Sequence, residues 1–370
     1  MPKLTQGSSA NPTRVLIYRL GSLGDTLIAL PAFHLVARAF PNAERRLLTN
    51  FPVTAKAPLA AAILEHTGLI DGFFRYTVGT RNPLELLQLW WTLIRWRPQV
   101  IVHLGTTRGV ENAKRDAMFF RLCGNPRLIG VPSTVDMQTH RVAADGLLER
   151  EASRLLRNIG ELGDGRIDDP ASWDLHLTDA EKSRAEQVLA PCAGRPLLAV
   201  SVGTKMQSKD WGRENWRALL ARVAQLYPDY ALALCGAGEE SEASEFAAGG
   251  WRAYNPGPVL NFCGALTPRE SAAVFAHAVA FLCHDSGPMH LAAAVGTPCV
   301  AVFAARNIPR VWFPFGERNR VVYHTVDCAG CRLETCIVEK KKCLTSITVD
   351  EVLSEVNAIL HPANISIEVR

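Results

Sequence analysis

Short apolar runs alternate with longer amphipathic stretches along nearly the whole chain, with turns between them. Val15–Tyr18 reads as a strand, Leu20–Gly24 as a turn and Asp25–Phe40 as a helix. Leu27, Leu30, Phe33, Leu35 and Ala37 supply the buried side of that helix, and Pro31 bends it. Further strands are expected at Arg46–Thr49, Gly72–Tyr76, Gln99–Leu104 and Arg127–Ile129. Leu84–Trp96 and Val110–Leu122 read as helices between them. Parallel strands need a crossover, and the crossover is usually a helix. This alternation therefore predicts an α/β fold, with a parallel sheet covered on both faces.

The pattern breaks at GDGRIDDPASWD, Gly163 to Asp174, and then restarts. Strands are expected at Pro196–Val202, Ala231–Cys235, Val259–Cys263, Ala280–Cys283 and Pro298–Phe303, and helices at Trp211–Tyr227, Gly287–Val295 and Val349–Leu360. A chain of 370 residues has room for two domains. The expected division is 1–170, 171–345, and a C-terminal helix and tail at 346–370. Two doubly wound halves make a cleft, and open α/β sheets bind ligands beyond the carboxyl ends of their strands. Residues that directly follow strands are therefore the first candidates for chemistry.

Forty Lys and Arg against 36 Asp and Glu leave a formal charge of +4. That is too little to mark a nucleic-acid partner. No apolar run reaches the roughly 20 residues that span a bilayer. The N-terminal MPKLTQGSSANPTR is polar and lacks an apolar signal core, so a cytoplasmic location is expected.

Four segments after strands carry candidate chemistry. Gly21 and Gly24 lie in Arg19-Leu20-Gly21-Ser22-Leu23-Gly24-Asp25, where glycine lets the backbone turn sharply. Asp25 is either a first-turn carboxylate stabilised by the helix dipole or a general base, and residue chemistry alone favours the first. In Asp285-Ser286-Gly287-Pro288-Met289-His290, Ser286 and Gly287 would open a helix whose N-terminal amides bind phosphate. His290, one turn in, is either a core histidine or an anion contact, and its neighbours favour the anion site. Lys205 and Lys209 follow the strand before Trp211 and are either solvated or placed to neutralise a leaving diphosphate. Glu239 and Glu240 follow a Gly-rich turn and either favour the next helix or reach ribose hydroxyls.

Cysteine is abundant, at ten residues. Cys123, Cys192, Cys235, Cys263, Cys283 and Cys299 are scattered and read as small packing residues. Cys328, Cys331, Cys336 and Cys343 crowd together. They are enough for a tetrahedral structural zinc site, although they lack the two matched CxxC pairs of a zinc ribbon. Their position near the C-terminus sets them apart from these four segments. Leu84–Trp96 carries Trp90, Trp91 and Trp96 beside Arg95 and Arg97. It reads as a core helix in preference to a membrane-surface face.

In this order the four segments resemble the family-9 glycosyltransferases, the group that includes the bacterial lipopolysaccharide heptosyltransferases. The resemblance runs from about Arg14 to the final helix. It is most specific in RLGSLGDTLIALPA, Arg19 to Ala32, and DSGPMHLAAAVGTP, Asp285 to Pro298. It implies the GT-B architecture, two Rossmann-like doubly wound domains facing across a cleft. It also implies inverting transfer of a sugar, typically heptose from ADP-heptose, with no metal required for the transfer. The implied acceptor is a lipid-linked glycan, the growing lipopolysaccharide core, with peripheral contact at the inner face of the inner membrane.

Carried over residue by residue, the resemblance makes Asp25 the base. Asp285, Ser286, Gly287 and His290 form the donor-phosphate loop. Lys209 contacts phosphate, with Lys205 near enough to compete, and Glu239, or less directly Glu240, binds ribose. Two departures stand out. The family's usual FGPTDP is here Phe303-Ala304-Ala305-Arg306-Asn307-Ile308-Pro309, and its Lys-Arg-Trp-Pro is here Lys209-Asp210-Trp211-Gly212. Both bear on the identity of the donor more than on the reaction class. A nucleotide-sugar epimerase of the same fold and a non-catalytic nucleotide-sugar-binding protein are the alternatives.

Overall fold

The computed structural model describes residues 13–51 and 60–361; the polar N-terminus through residue 12 and the tail from residue 362 lie outside the described residues. The chain forms two compact units. The first runs to Arg141 and resumes from Glu151 to Ser172; the second takes Val142–Arg150 and everything from Trp173 onward.

The first unit holds β1 (Arg14–Tyr18), α1 (Leu23–Ile28), α2 (Leu30–Ala39), β2 (Glu44–Asn50), α3 (Ala61–Leu64), β3 (Gly72–Tyr76), α4 (Pro83–Trp96), β4 (Val100–His103), α5 (Val110–Arg121), β5 (Arg127–Ile129), α6 (Val135–Gln138) and α7 (Glu151–Asn158). Its five strands are parallel, in the order β3-β2-β1-β4-β5. Val15 pairs with Arg45 on one side and Val100 on the other. The strand order reverses between β1 and β4, so the loops after these two strands flank the crevice where such sheets bind ligands. Val15, Leu16 and Ile17 are fully buried, as a central strand covered on both faces requires.

The second unit holds α8 (Asp179–Leu189), β6 (Leu197–Ser201), α9 (Arg213–Leu226), β7 (Ala231–Leu234), α10 (Ser241–Arg252), β8 (Val259–Asn261), α11 (Pro268–Ala276), β9 (Ala278–His284), α12 (Gly287–Ala294), β10 (Cys299–Phe303), β11 (Arg320–Tyr323), α13 (Lys342–Thr345) and α14 (Val349–Leu360). Its six parallel strands run β11-β10-β9-β6-β7-β8. Here the order reverses between β6 and β9, which pair from Leu197 to Ser201. α14 sends Val352, Leu353 and Val356 into the same core as Trp216, Trp251 and Val300.

The two parallel α/β sheets bear out the expected fold class. One expected helix differs. Asp25–Phe40 is two helices, α1 and α2, separated at Ala29. Pro31 lacks an N–H and sits in the first turn of α2, where that donor has no helical partner to lose. No helix among the described residues is long and apolar enough to cross a membrane.

Candidate active site

In the first unit the chain leaves β1, turns at Gly21 and enters α1. Gly21 has φ 139°, and a Cβ there would fall 2.3 Å from Cβ of Asp25. The turn excludes a side chain because Asp25 folds back over it. Asp25 is the third residue of α1, and its Oδ2 accepts from Ser22 N at 2.8 Å and Ser22 Oγ at 2.9 Å. The capping role is therefore real. The side chain is still 23% exposed, and its Oδ1 lies 3.9 Å from Nη2 of Arg19. Gly24 falls inside the first turn of α1, not in the loop as the sequence reading placed it, because the helix begins two residues before Asp25.

Arg19 is almost fully buried. Its Nε and Nη2 donate to the Asp25 carbonyl, and its Nη1 donates to the Leu104 carbonyl after β4. One guanidinium thus ties together the two loops at the strand reversal. Its charge is balanced by Glu151, 3.8 Å away and also buried. Burial pushes the Glu151 carboxyl up, but hydrogen bonds from Arg154 and His140 and the charges of Arg154 and Arg19 outweigh it. They leave the pKa at about 2.

In the second unit the loops after β6 and β9 meet. Lys209 Nζ donates to the Asp285 carbonyl at 2.9 Å and pairs with Asp285 Oδ2 at 2.7 Å. An ammonium has three N–H bonds, so one remains for another acceptor. Ser286 is the N-cap of α12, with Pro288 in its first turn. Ser286 Oγ is shielded from solvent and has no hydrogen-bond partner among the described residues. A shielded hydroxyl costs free energy unless something bonds to it, and an anion at the helix N-terminus would. His290 is buried one turn into the helix.

His284, the residue before this loop, fastens the arrangement. Its Nε2 accepts from Trp211 N at 3.0 Å and Trp216 Nε1 at 3.1 Å. Two donors on one nitrogen require a neutral ring with its proton on Nδ1, which faces the Gly203 carbonyl at 3.5 Å. Burial lowers the His284 pKa to about 4.

Lys205 is exposed. Burial of its ammonium by surrounding atoms lowers its pKa, against the pull of Glu240 and Glu239. Glu240 Oε2 accepts from Ala237 N at 2.9 Å. A Cβ on Gly203 would fall 2.0 Å from the Glu240 Cδ, so this carboxylate lies directly over the end of β6. Glu239 is the more exposed of the two.

The cysteine cluster corrects two expectations. Among the described residues no three His, Cys, Asp or Glu side chains come together as a metal site, so a structural zinc on Cys328, Cys331, Cys336 and Cys343 has no support. Cys331 is exposed, Cys336 Sγ accepts from Lys341 N at 3.2 Å, and Cys343 is partly buried. Nor is the segment remote from the candidate donor loop. Cys336 N donates to Gln207 Oε1, Ser208 Oγ donates to the Leu333 carbonyl, and Lys341 Nζ donates to the Asp210 carbonyl. The segment thus braces the turn that carries Lys209.

Sequence reasoning assigned no role to Arg19, Glu151, His284 or Asn307. Asn307 lies in one of the two departures and donates to Asp285 Oδ2 at 3.4 Å. Arg19 and His284 carried one signal, a polar residue next to an apolar strand. Arg19 reaches Leu104 and His284 reaches Trp211, 85 and 73 positions away, and such pairings have no local pattern.

Residues 134–342 match Glycosyltransferase family 9 (heptosyltransferase). The chain is similar to the lipopolysaccharide heptosyltransferase 1 of Pseudomonas aeruginosa, at 28% identity over 393 residues, covering 94% of this chain and 98% of that protein. It is also similar to the lipooligosaccharide heptosyltransferase 2 of Campylobacter jejuni, at 26% identity over 102 residues. That match takes in 28% of this chain and spans 32% of that relative's length. The fold is similar to the solved structure of Escherichia coli ADP-heptose LPS heptosyltransferase II, with a TM-score of 0.64 at 17% identity over 94% of this chain and 98% of that one.

Proposed function

The chain belongs to glycosyltransferase family 9, and we propose that it moves heptose from ADP-heptose to a glycan acceptor of the lipopolysaccharide-core type, with inversion at the anomeric carbon. The observation that carries the donor half is the second unit's strand reversal. There Lys209, paired to Asp285, keeps one N–H bond beside a helix N-terminus whose Ser286 hydroxyl lacks a partner among the described residues. A diphosphate supplies what both groups lack.

In this reading an acceptor hydroxyl attacks the anomeric carbon while Asp25 takes its proton. The bond from that carbon to the diphosphate oxygen breaks, and ADP leaves with the electron pair. Lys209 and the α12 amides stabilise the charge that develops, and no step passes through a metal. Proton removal by a positioned base is worth about 100- to 10,000-fold in rate. An oriented donor at the leaving charge contributes on the order of 3 kcal/mol. We assign the ribose contact to Glu240 in preference to Glu239, because the Glu240 carboxylate lies over the end of β6. Ten free thiols fit the reducing cytoplasm, where we place the protein.

Calorimetry with ADP, UDP and GDP tests the donor assignment. ADP should bind at least about tenfold more tightly than either alternative, a difference of about 1.4 kcal/mol. Equal affinities, or a preference for UDP or GDP, would remove the adenosine donor from the account.

A further inference from the structure

α4 and α5 cover one side of the first unit's sheet but leave an apolar outer face. α4 turns Leu93 and Trp96 into the core. On its opposite side Leu84, Leu87 and Trp91 recur at i, i+3 and i+7, and Arg95 continues the row. The three apolar side chains are 67%, 56% and 54% exposed. Only one side of α4 packs in the core as the sequence indicated. Trp90 Nε1 donates to the Leu122 carbonyl, which brings the end of α5 against α4. There Ala113, Ala117 and Phe120 face inward, while Met118 and Leu122 are 61% and 62% exposed.

The rim of this face is cationic. Arg95, Arg97, Arg115 and Arg121 are all exposed. The nearby carboxylates are already engaged. Glu85 accepts from Thr77 N and Thr80 Oγ1, Glu111 from Lys114, and Asp116 from Arg108. Large apolar side chains grouped on a surface and rimmed by polar ones mark an interaction site. Leu and Trp on a helix that lies flat, with arginines beside them, suit the boundary between headgroups and acyl chains.

We propose that this face of α4 and α5 docks on an anionic bilayer surface. Leu84, Leu87, Trp91, Met118 and Leu122 enter the interface, and the arginines meet lipid phosphates. A second copy of the chain is a poorer occupant, because a two-fold contact through the same face would bring the two sets of arginines together. The inference uses no residue of the proposed donor site.

Sedimentation of the full chain with phosphatidylcholine vesicles, with and without phosphatidylglycerol, tests it. Binding should require the anionic lipid and weaken as salt is raised. The pairs Leu87→Ser with Trp91→Ser, and Arg95→Glu with Arg121→Glu, should each weaken binding by at least about tenfold, since one basic residue near such a surface is worth about fivefold. ADP affinity should stay unchanged in both, which shows that the variants fold. The proposal is overturned if the wild-type chain does not bind anionic vesicles, or if both variants bind as well as wild type. It is also overturned if light scattering shows self-association through this face in place of vesicle binding.

Discussion

Lys209 and Asp285 are a largely buried ion pair, with side chains 14% and 6% exposed. Removing one partner of such a pair leaves the other charged and unpaired. Lys209→Met should therefore destabilise the chain by about 3 kcal/mol, read from denaturant unfolding. Adding Asp285→Asn should restore most of that loss while ADP affinity stays low. If Lys209→Met left stability untouched, the pair would not hold the loop. Asp25, Lys209 and Asp285 were legible as candidates, polar residues in the segments that follow apolar strands. Arg19 and Glu151 were not, because the bond from Arg19 to Leu104 and its ion pair with Glu151 join segments far apart in sequence. The same distance hid the bracing of the Lys209 turn by the cysteine segment.

The fixed point at the scale of elements is the end of β9, where neutral His284 holds the turn before α9. Its folded pKa is about 4, below the unfolded value of about 6.5. Between those values the unfolded chain binds a proton that the folded chain refuses, so stability falls as pH drops through this window. The thermal midpoint should decline from pH 7 to pH 5. His284→Gln should be less stable at pH 7 but lose most of that slope. A variant with the wild-type slope would assign it to another group. Glu151 acts in the same direction at lower pH, between its unfolded value of about 4.3 and its folded value of about 2. The strands buried on both faces, such as β4, β6 and β10, were legible as continuous apolar runs. β11 was missed because it opens on Arg320 and buries only Val322, and α10 was missed because Gly249 and Gly250 interrupt its helical pattern.

At the scale of the molecule, two parallel sheets each reverse strand order once, and each reversal carries its own polar machinery. The repeated strand–helix pattern made that architecture readable, because a parallel sheet leaves its periodicity in every crossover. The proposed division of labour gives the first unit a held carboxylate, Asp25, and the second an anion cradle at Lys209 and Ser286. The direct test is the turnover of Asp25→Asn with ADP-heptose and a lipopolysaccharide-core acceptor. Asparagine keeps an oxygen for the Ser22 amide, so the α1 cap and the fold survive, but it cannot take a proton. The account predicts a loss of about 100- to 10,000-fold in kcat, with ADP affinity within about threefold of wild type. Turnover near the wild-type rate in a variant that binds ADP normally would contradict it.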